Sequence, residues 1–129
     1  MSPSLRIVRR EDVPGIRTVA PMGDADMDTA PLLRQALEEE LNRPPPPATV
    51  VVDCSGLTFC ASAGLNEFLR ARRTAGDRGI ALCLSAPREQ MRRLLRITET
   101  DTVLDVRPPG TATHENRPAG ARDQDGPGT

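Results

Sequence analysis

The stretch Val50-Val51-Val52-Asp53-Cys54-Ser55-Gly56-Leu57-Thr58-Phe59-Cys60-Ala61-Ser62-Ala63-Gly64-Leu65-Asn66 decides how the rest of the chain is read. With Thr49 ahead of it, its first part is continuous in β-branched residues and does not alternate, which predicts a strand over 49–53 buried on both faces. Such a strand lies in the middle of a sheet. Residues 55–59 read as a loop, and a helix is expected from about Ser62. Leu65, Phe68, Leu69 and Ala75 would share one face of it, and Gly76 would be its C′ residue.

Downstream, residues 80–84 form a second all-apolar run of strand length. Ser85 is placed to cap a third helix, with Pro87 in its first turn and Met91, Leu94 and Leu95 at i, i+3, i+4 spacing. Residues 102–106 read as a last short strand. Upstream, the four prolines at 44–47 lack the N–H groups a ladder needs and make an extended connector. They stop a helix beginning near Asp28 or Thr29, in which Ala30, Leu33, Leu37 and Leu41 recur at helical spacing while Arg34, Glu38 and Glu39 face outward. Residues 5–8 and 16–20 read as a hairpin around the turn-prone 11–15, and residues 22–26 as a loop.

Two buried strands separated by a helix, each followed by another helix, imply parallel pairing. The expected class is α/β, one domain over residues 1–108, with a mixed sheet of four to five strands and helices mainly on one face. Residues 109–129 are expected to be a disordered tail: from Gly110 on they are rich in Gly, Pro, Ala and charge and have no hydrophobic periodicity. The single histidine, His114, falls in that tail.

Composition removes several function classes. Aromatic residues make up 2% of the chain, without Trp or Tyr, so base-stacking platforms are nearly excluded. The formal charge is −1, and the 17 basic residues are all arginines spread over several segments. Direct nucleic-acid binding is therefore not expected. Cys54, Cys60 and Cys83 lack CxxC spacing and sit near apolar stretches, as reduced core residues do. No signal-like apolar run and no stretch approaching a membrane span occurs in the sequence, so a soluble cytoplasmic protein is expected. The sequence contains no GxGxxG, Walker-type loop or GxSxG, and no histidine in the folded part to activate a serine. Neither an enzyme nor a cofactor is expected. Asp24 and Asp26 are paired carboxylates without a second cluster, and no metal site is assigned to them.

In open α/β sheets, binding surfaces gather beyond the carboxyl ends of parallel strands, where loops run into helix N-termini. That edge would contain the 53–62 loop and residues 23–26, facing the same way. Ser62 would stand at the helix start with the N–H groups of Ala63, Gly64 and Leu65 near its hydroxyl. Position alone supports two readings: an N-cap contributing about 1 kcal/mol, or an acceptor whose phosphate the helix N-terminus would hold.

The quoted string resembles the STAS-domain signature of bacterial anti-sigma factor antagonists. The resemblance extends over roughly residues 5–107. Gly23-Asp24-Ala25-Asp26 stands at the G-E-x-D position, Asp28-Thr29-Ala30-Pro31 opens the first helix, and residues 94–106 close the domain. The arginine-only, proline-rich composition is similar to that of actinobacterial members. The resemblance implies a protein that binds an anti-sigma factor, often a GHKL-type serine kinase, and so frees a sigma factor. It implies Ser62 as the phosphorylated residue, and a partner surface of Gly23, Asp24, Asp26, Ala61, Ser62, Ala63, Gly64, Leu65 and Asn66. Where the family reads Asp-Ser-Ser/Thr-Gly, this chain reads Ala61-Ser62-Ala63-Gly64. A second reading suits those alanines: a non-switching STAS adaptor or scaffold in a signalling or lipid-transport assembly.

Overall fold

The computed structural model describes residues 4–109. The expected tail, with His114, lies outside them apart from its first residue. The elements run β1 (Leu5–Val13), β2 (Ile16–Ala25), α1 (Ala30–Asn42), β3 (Thr49–Asp53), β4 (Leu57–Cys60), α2 (Ser62–Asp77), β5 (Ala81–Ser85), α3 (Glu89–Ile97) and β6 (Asp105–Arg107). Short 3-10 turns, Cys54–Gly56 and Thr100–Thr102, precede β4 and β6.

The architecture is the expected α/β domain with a mixed sheet, of six strands where four to five were expected. The path is β1-β2-β3-β5-β6, antiparallel between β1 and β2 and parallel thereafter. The strand missing from the sequence reading is β4. It exists because β2 is ten residues long and divides its outer edge between two partners. Its first half pairs with β3, Ile16 opposite Thr49, and its last residues pair with β4, Ala25 opposite Cys60. Gly23 to Ala25 therefore belong to a strand, where a loop was expected. Gly and Asp are poor strand formers, but here their backbone is held from both sides by β1 and β4.

Val19, Val50, Val52 and Leu84 face one core, together with Leu33, Leu37 and Leu41 of α1, Leu65, Phe68 and Ala71 of α2, and Met91 and Leu95 of α3. Three helix boundaries differ from expectation. α2 continues to Asp77, and the left-handed position after it is Gly79 rather than Gly76. Ser85 is not a cap: it is the last residue of β5, paired with both Asp53 and Arg107, so its backbone is committed to the sheet. The chain then turns at Ala86, with φ of 57°, and α3 starts after Arg88. α1 begins at Ala30 with Pro31 in its first turn, one residue from the expected start.

Candidate functional site

The edge at the carboxyl ends of the strands is built by β2 and β4 lying side by side. Asp24 is in register with Phe59 and Ala25 with Cys60, which brings residues 23–26 against the start of α2. The Ala61 N–H donates to the Ala25 carbonyl at 2.8 Å, extending the ladder by one residue. The Thr58 hydroxyl donates to the Asp24 carboxylate at 2.9 Å. Gly64 makes the approach possible, since a Cβ there would lie 2.7 Å from the Ala25 Cβ and 2.8 Å from its carbonyl oxygen. Gly23 is required on the other side: its φ is +116°, and a Cβ would fall 2.0 Å from the Ser4 carbonyl oxygen.

Asp26 organises the turn into α1. One of its carboxylate oxygens accepts from the N–H groups of Asp28 at 3.0 Å and Thr29 at 3.1 Å. The Thr29 hydroxyl in turn donates to the Asp24 carbonyl at 2.8 Å. Asp24, Asp26, Asp28 and Asp53 together give this edge negative charge.

Ser62 is the first residue of α2, and the N-cap position belongs to Ala61, whose backbone is extended at φ −94°, ψ 173°. The cap reading of Ser62 is thereby corrected. Ala61 must stay extended to complete the ladder with Ala25, so helical geometry starts one residue later. The first helical bond runs from the Leu65 N–H to the Ala61 carbonyl at 3.0 Å. The N–H groups of Ser62, Ala63 and Gly64 precede it and have no helical acceptor. Ser62 is exposed, and its hydroxyl makes no hydrogen bond among the described residues.

Of the other expected partner residues, Asn66 is exposed, Ala61, Ala63, Gly23, Asp24 and Asp26 are half-buried, and Gly64 is buried. Leu65 is 3% exposed and points into the core, so it fixes the helix and offers a partner almost no surface. Sequence reading missed three apolar side chains on this edge: Met22 and Phe59, each 44% exposed, and Met27 at 79%. A strand of four residues shows no period that would single out Phe59. It also missed α3's contribution. The Gln90 carboxamide meets the backbone of Cys60, and the Arg88 guanidinium donates to the Ser55 carbonyl at 2.8 Å.

Burial disfavours the thiolate form of the cysteines nearby. Burial pushes Cys60 up to about 12 and Cys54 well above the ordinary thiol range. Among the described residues no three His, Cys, Asp or Glu side chains are grouped to hold a metal ion, and no helix is long and apolar enough to cross a membrane.

The family model for the STAS domain, described as Mlab, matches residues 12–106. No curated protein matches the sequence. An anti-sigma factor antagonist from Mycobacterium paratuberculosis is similar at 27% identity and a TM-score of 0.78, over 89% of this chain and 96% of that one. The Bacillus cell fate determinant SpoIIAA in its phosphorylated form gives 14% identity and a TM-score of 0.67, over 87% of this chain and all of that one (100%). The murine anion transporter Slc26a9 gives 15% and 0.68, over 79% of this chain and 17% of the transporter. At such identities the last two share the fold. The chain spans only about a sixth of the transporter's length, 17%. On the family match, the chain belongs to the STAS domain family.

Proposed function

We propose that the chain is an anti-sigma factor antagonist, a non-enzymatic cytoplasmic regulator that binds an anti-sigma factor and so releases a sigma factor. The observation that carries this reading is the likeness to the mycobacterial antagonist, which is nearly end to end, at 96% of that chain. The partner surface comprises Gly23, Asp24, Asp26, Ala61, Ser62, Ala63 and Asn66, seated on Gly64 and Leu65, with Met22, Met27 and Phe59 as its apolar part.

The partner is a serine kinase of the GHKL type, and Ser62 is its acceptor. In support, the Ser62 hydroxyl is exposed and unengaged among the described residues, and it stands beside three N–H groups without helical acceptors. A phosphate there would gain charge-assisted hydrogen bonds and a favourable helix dipole. It would also bring roughly two negative charges to an edge that already carries carboxylates. A partner covering Met22 and Phe59 would have to desolvate that dianion, which is costly, so phosphorylation dissociates the complex.

The test is a pull-down from native lysate with wild type and Ser62→Asp, followed by incubation of the captured kinase with ATP and intact-mass measurement. Capture by wild type and not by Ser62→Asp, with one phosphate added to wild type and none to Ser62→Ala, is the expected result. A second reading is favoured by Ala61 and Ala63, which leave Ser62 without the polar neighbours of the family pattern. A non-switching adaptor would be captured equally by wild type and Ser62→Asp, and would recover transport or signalling subunits instead of an anti-sigma factor.

A further inference from the structure

Among the described residues β4 pairs with β2 along one edge only. On its other side, the Cys60 N–H donates to the Gln90 Oε1 at 2.9 Å, and the Gln90 Nε2 donates to the Cys60 carbonyl at 2.9 Å. The N–H and C=O of one residue in an extended strand point to the same side, and a primary amide carries an acceptor and a donor spaced to meet both. Gln90 thus does for Cys60 what a neighbouring strand would do. The next residue, Ala61, is tied to Ala25, and Ser62 follows it. At the other end of the same segment Arg88 holds the Ser55 carbonyl. α3 therefore stitches both ends of the 55–60 stretch that delivers Ser62 to the surface.

We infer that Gln90 is a positioning residue for the Ser62 turn, its carboxamide fixing how the partner-binding edge is presented. What that edge binds rests on the function proposed above; the positioning itself does not. Among single substitutions the chemistry is selective. Gln90→Met keeps the length and the apolar stem and loses both bonds. In an ionised Gln90→Glu, one oxygen can meet the Cys60 N–H only by setting the other against the Cys60 carbonyl, so the anion is driven off the strand and both bonds are lost, while protonation gives back an O–H donor beside the acceptor.

The experiment is amide hydrogen exchange by NMR on the full chain. In Gln90→Met, exchange at Cys60 and Ala61 accelerates at least about tenfold while β3 and α1 amides stay at wild-type rates. In Gln90→Glu, protection at these two amides is lost at neutral pH and returns below the carboxylate range, each pH being referenced to wild type. A packing role for residue 90 would leave Cys60 and Ala61 at wild-type rates in Gln90→Met, whose side chain fills the same space. Wild-type exchange at Cys60 in Gln90→Met, or no recovery in Gln90→Glu, overturns the inference. With the protein captured by wild type as probe, Gln90→Met binds about tenfold more weakly, and unchanged binding would overturn the claim on presentation. If wild type captures no anti-sigma factor, the proposed function fails and the exchange data still decide the role of Gln90.

Discussion

Gly64 and Ser62 stand two residues apart in the first turn of α2 and respond to substitution in opposite ways. A Cβ on Gly64 would meet the Ala25 carbonyl oxygen at 2.8 Å, and that oxygen accepts the Ala61 N–H. Backbone cannot swing aside as a flexible side chain does, so Gly64→Ala must lift α2 from β2 or break the Ala61 bond. The expected cost is about 1–3 kcal/mol, measured as a lowered urea midpoint together with faster exchange at Ala61. Ser62→Asp meets open solvent at a helix N-terminus, where a negative charge is favourable. Its stability stays within about 0.5 kcal/mol of wild type, checked by thermal unfolding, so any loss of partner capture reports charge at the interface. Ser62 was legible because the string around it marks a strand, a loop and a helix start. Gln90 was not: its partner is 30 residues away, and a glutamine in the first turn of a helix leaves no pattern.

Elements whose packing is repetitive were readable from the sequence, and those made by uneven pairing were not. Leu33, Leu37 and Leu41 repeat at helical spacing and are buried, and Val50 to Val52 are fully covered as a central strand requires. β4 alternates neither in sequence nor in burial, its pattern being buried, exposed, exposed, buried. Arg17 is a second case. It is 2% exposed on β2, where a strand reading predicts an apolar or neutral side chain. Its Nη1 donates to the Glu40 carbonyl at 2.7 Å and the Arg43 carbonyl at 2.9 Å, and its Nη2 to the Pro45 carbonyl at 2.6 Å. These are the unsatisfied C-terminal carbonyls of α1 and the start of the proline connector, so one guanidinium ends the helix and anchors the connector to the sheet. The Glu11 and Glu40 carboxylates complete the charge balance. Arg17→Met would leave three carbonyls without this donor while Glu40 keeps Arg43 and Arg9, and the expected loss is about 2–4 kcal/mol in urea unfolding. Arg17→Lys should recover little of it, since a single ammonium cannot reproduce a planar fork reaching three separate oxygens.

Across the whole molecule, pH acts on the fold from both ends of the scale. The Gly15 N–H and Arg17 hold Glu11 below the usual carboxylate range, and Arg9 with Gln35 does the same for Glu39. Their contribution is present above the unfolded carboxylate range and is lost as pH falls through the folded values. Both groups lie at the surface, where solvent screening keeps the effect small. The alkaline side is steeper because its groups are interior. All three thiols are buried, and for two of them burial raises the pKa, Cys60 from near 9 to about 12 and Cys54 well above 9. An unfolded chain ionises these thiols first, so it binds fewer protons than the native state above about pH 9, and stability falls as pH rises. Cys54 and Cys60 each contribute a slope approaching about 1.4 kcal/mol per pH unit until the folded value is reached. Cys60→Ala should be less stable at pH 7 through the lost packing, yet its decline between pH 8.5 and 10.5 should be shallower than that of wild type, by close to one proton. Urea midpoints across that interval provide the measurement, and parallel curves would show that Cys60 is not kept neutral by the fold. Thiol labelling makes the same case independently: at pH 8 the folded chain should resist iodoacetamide at Cys54, Cys60 and Cys83, and the chain in 8 M urea should take up three equivalents.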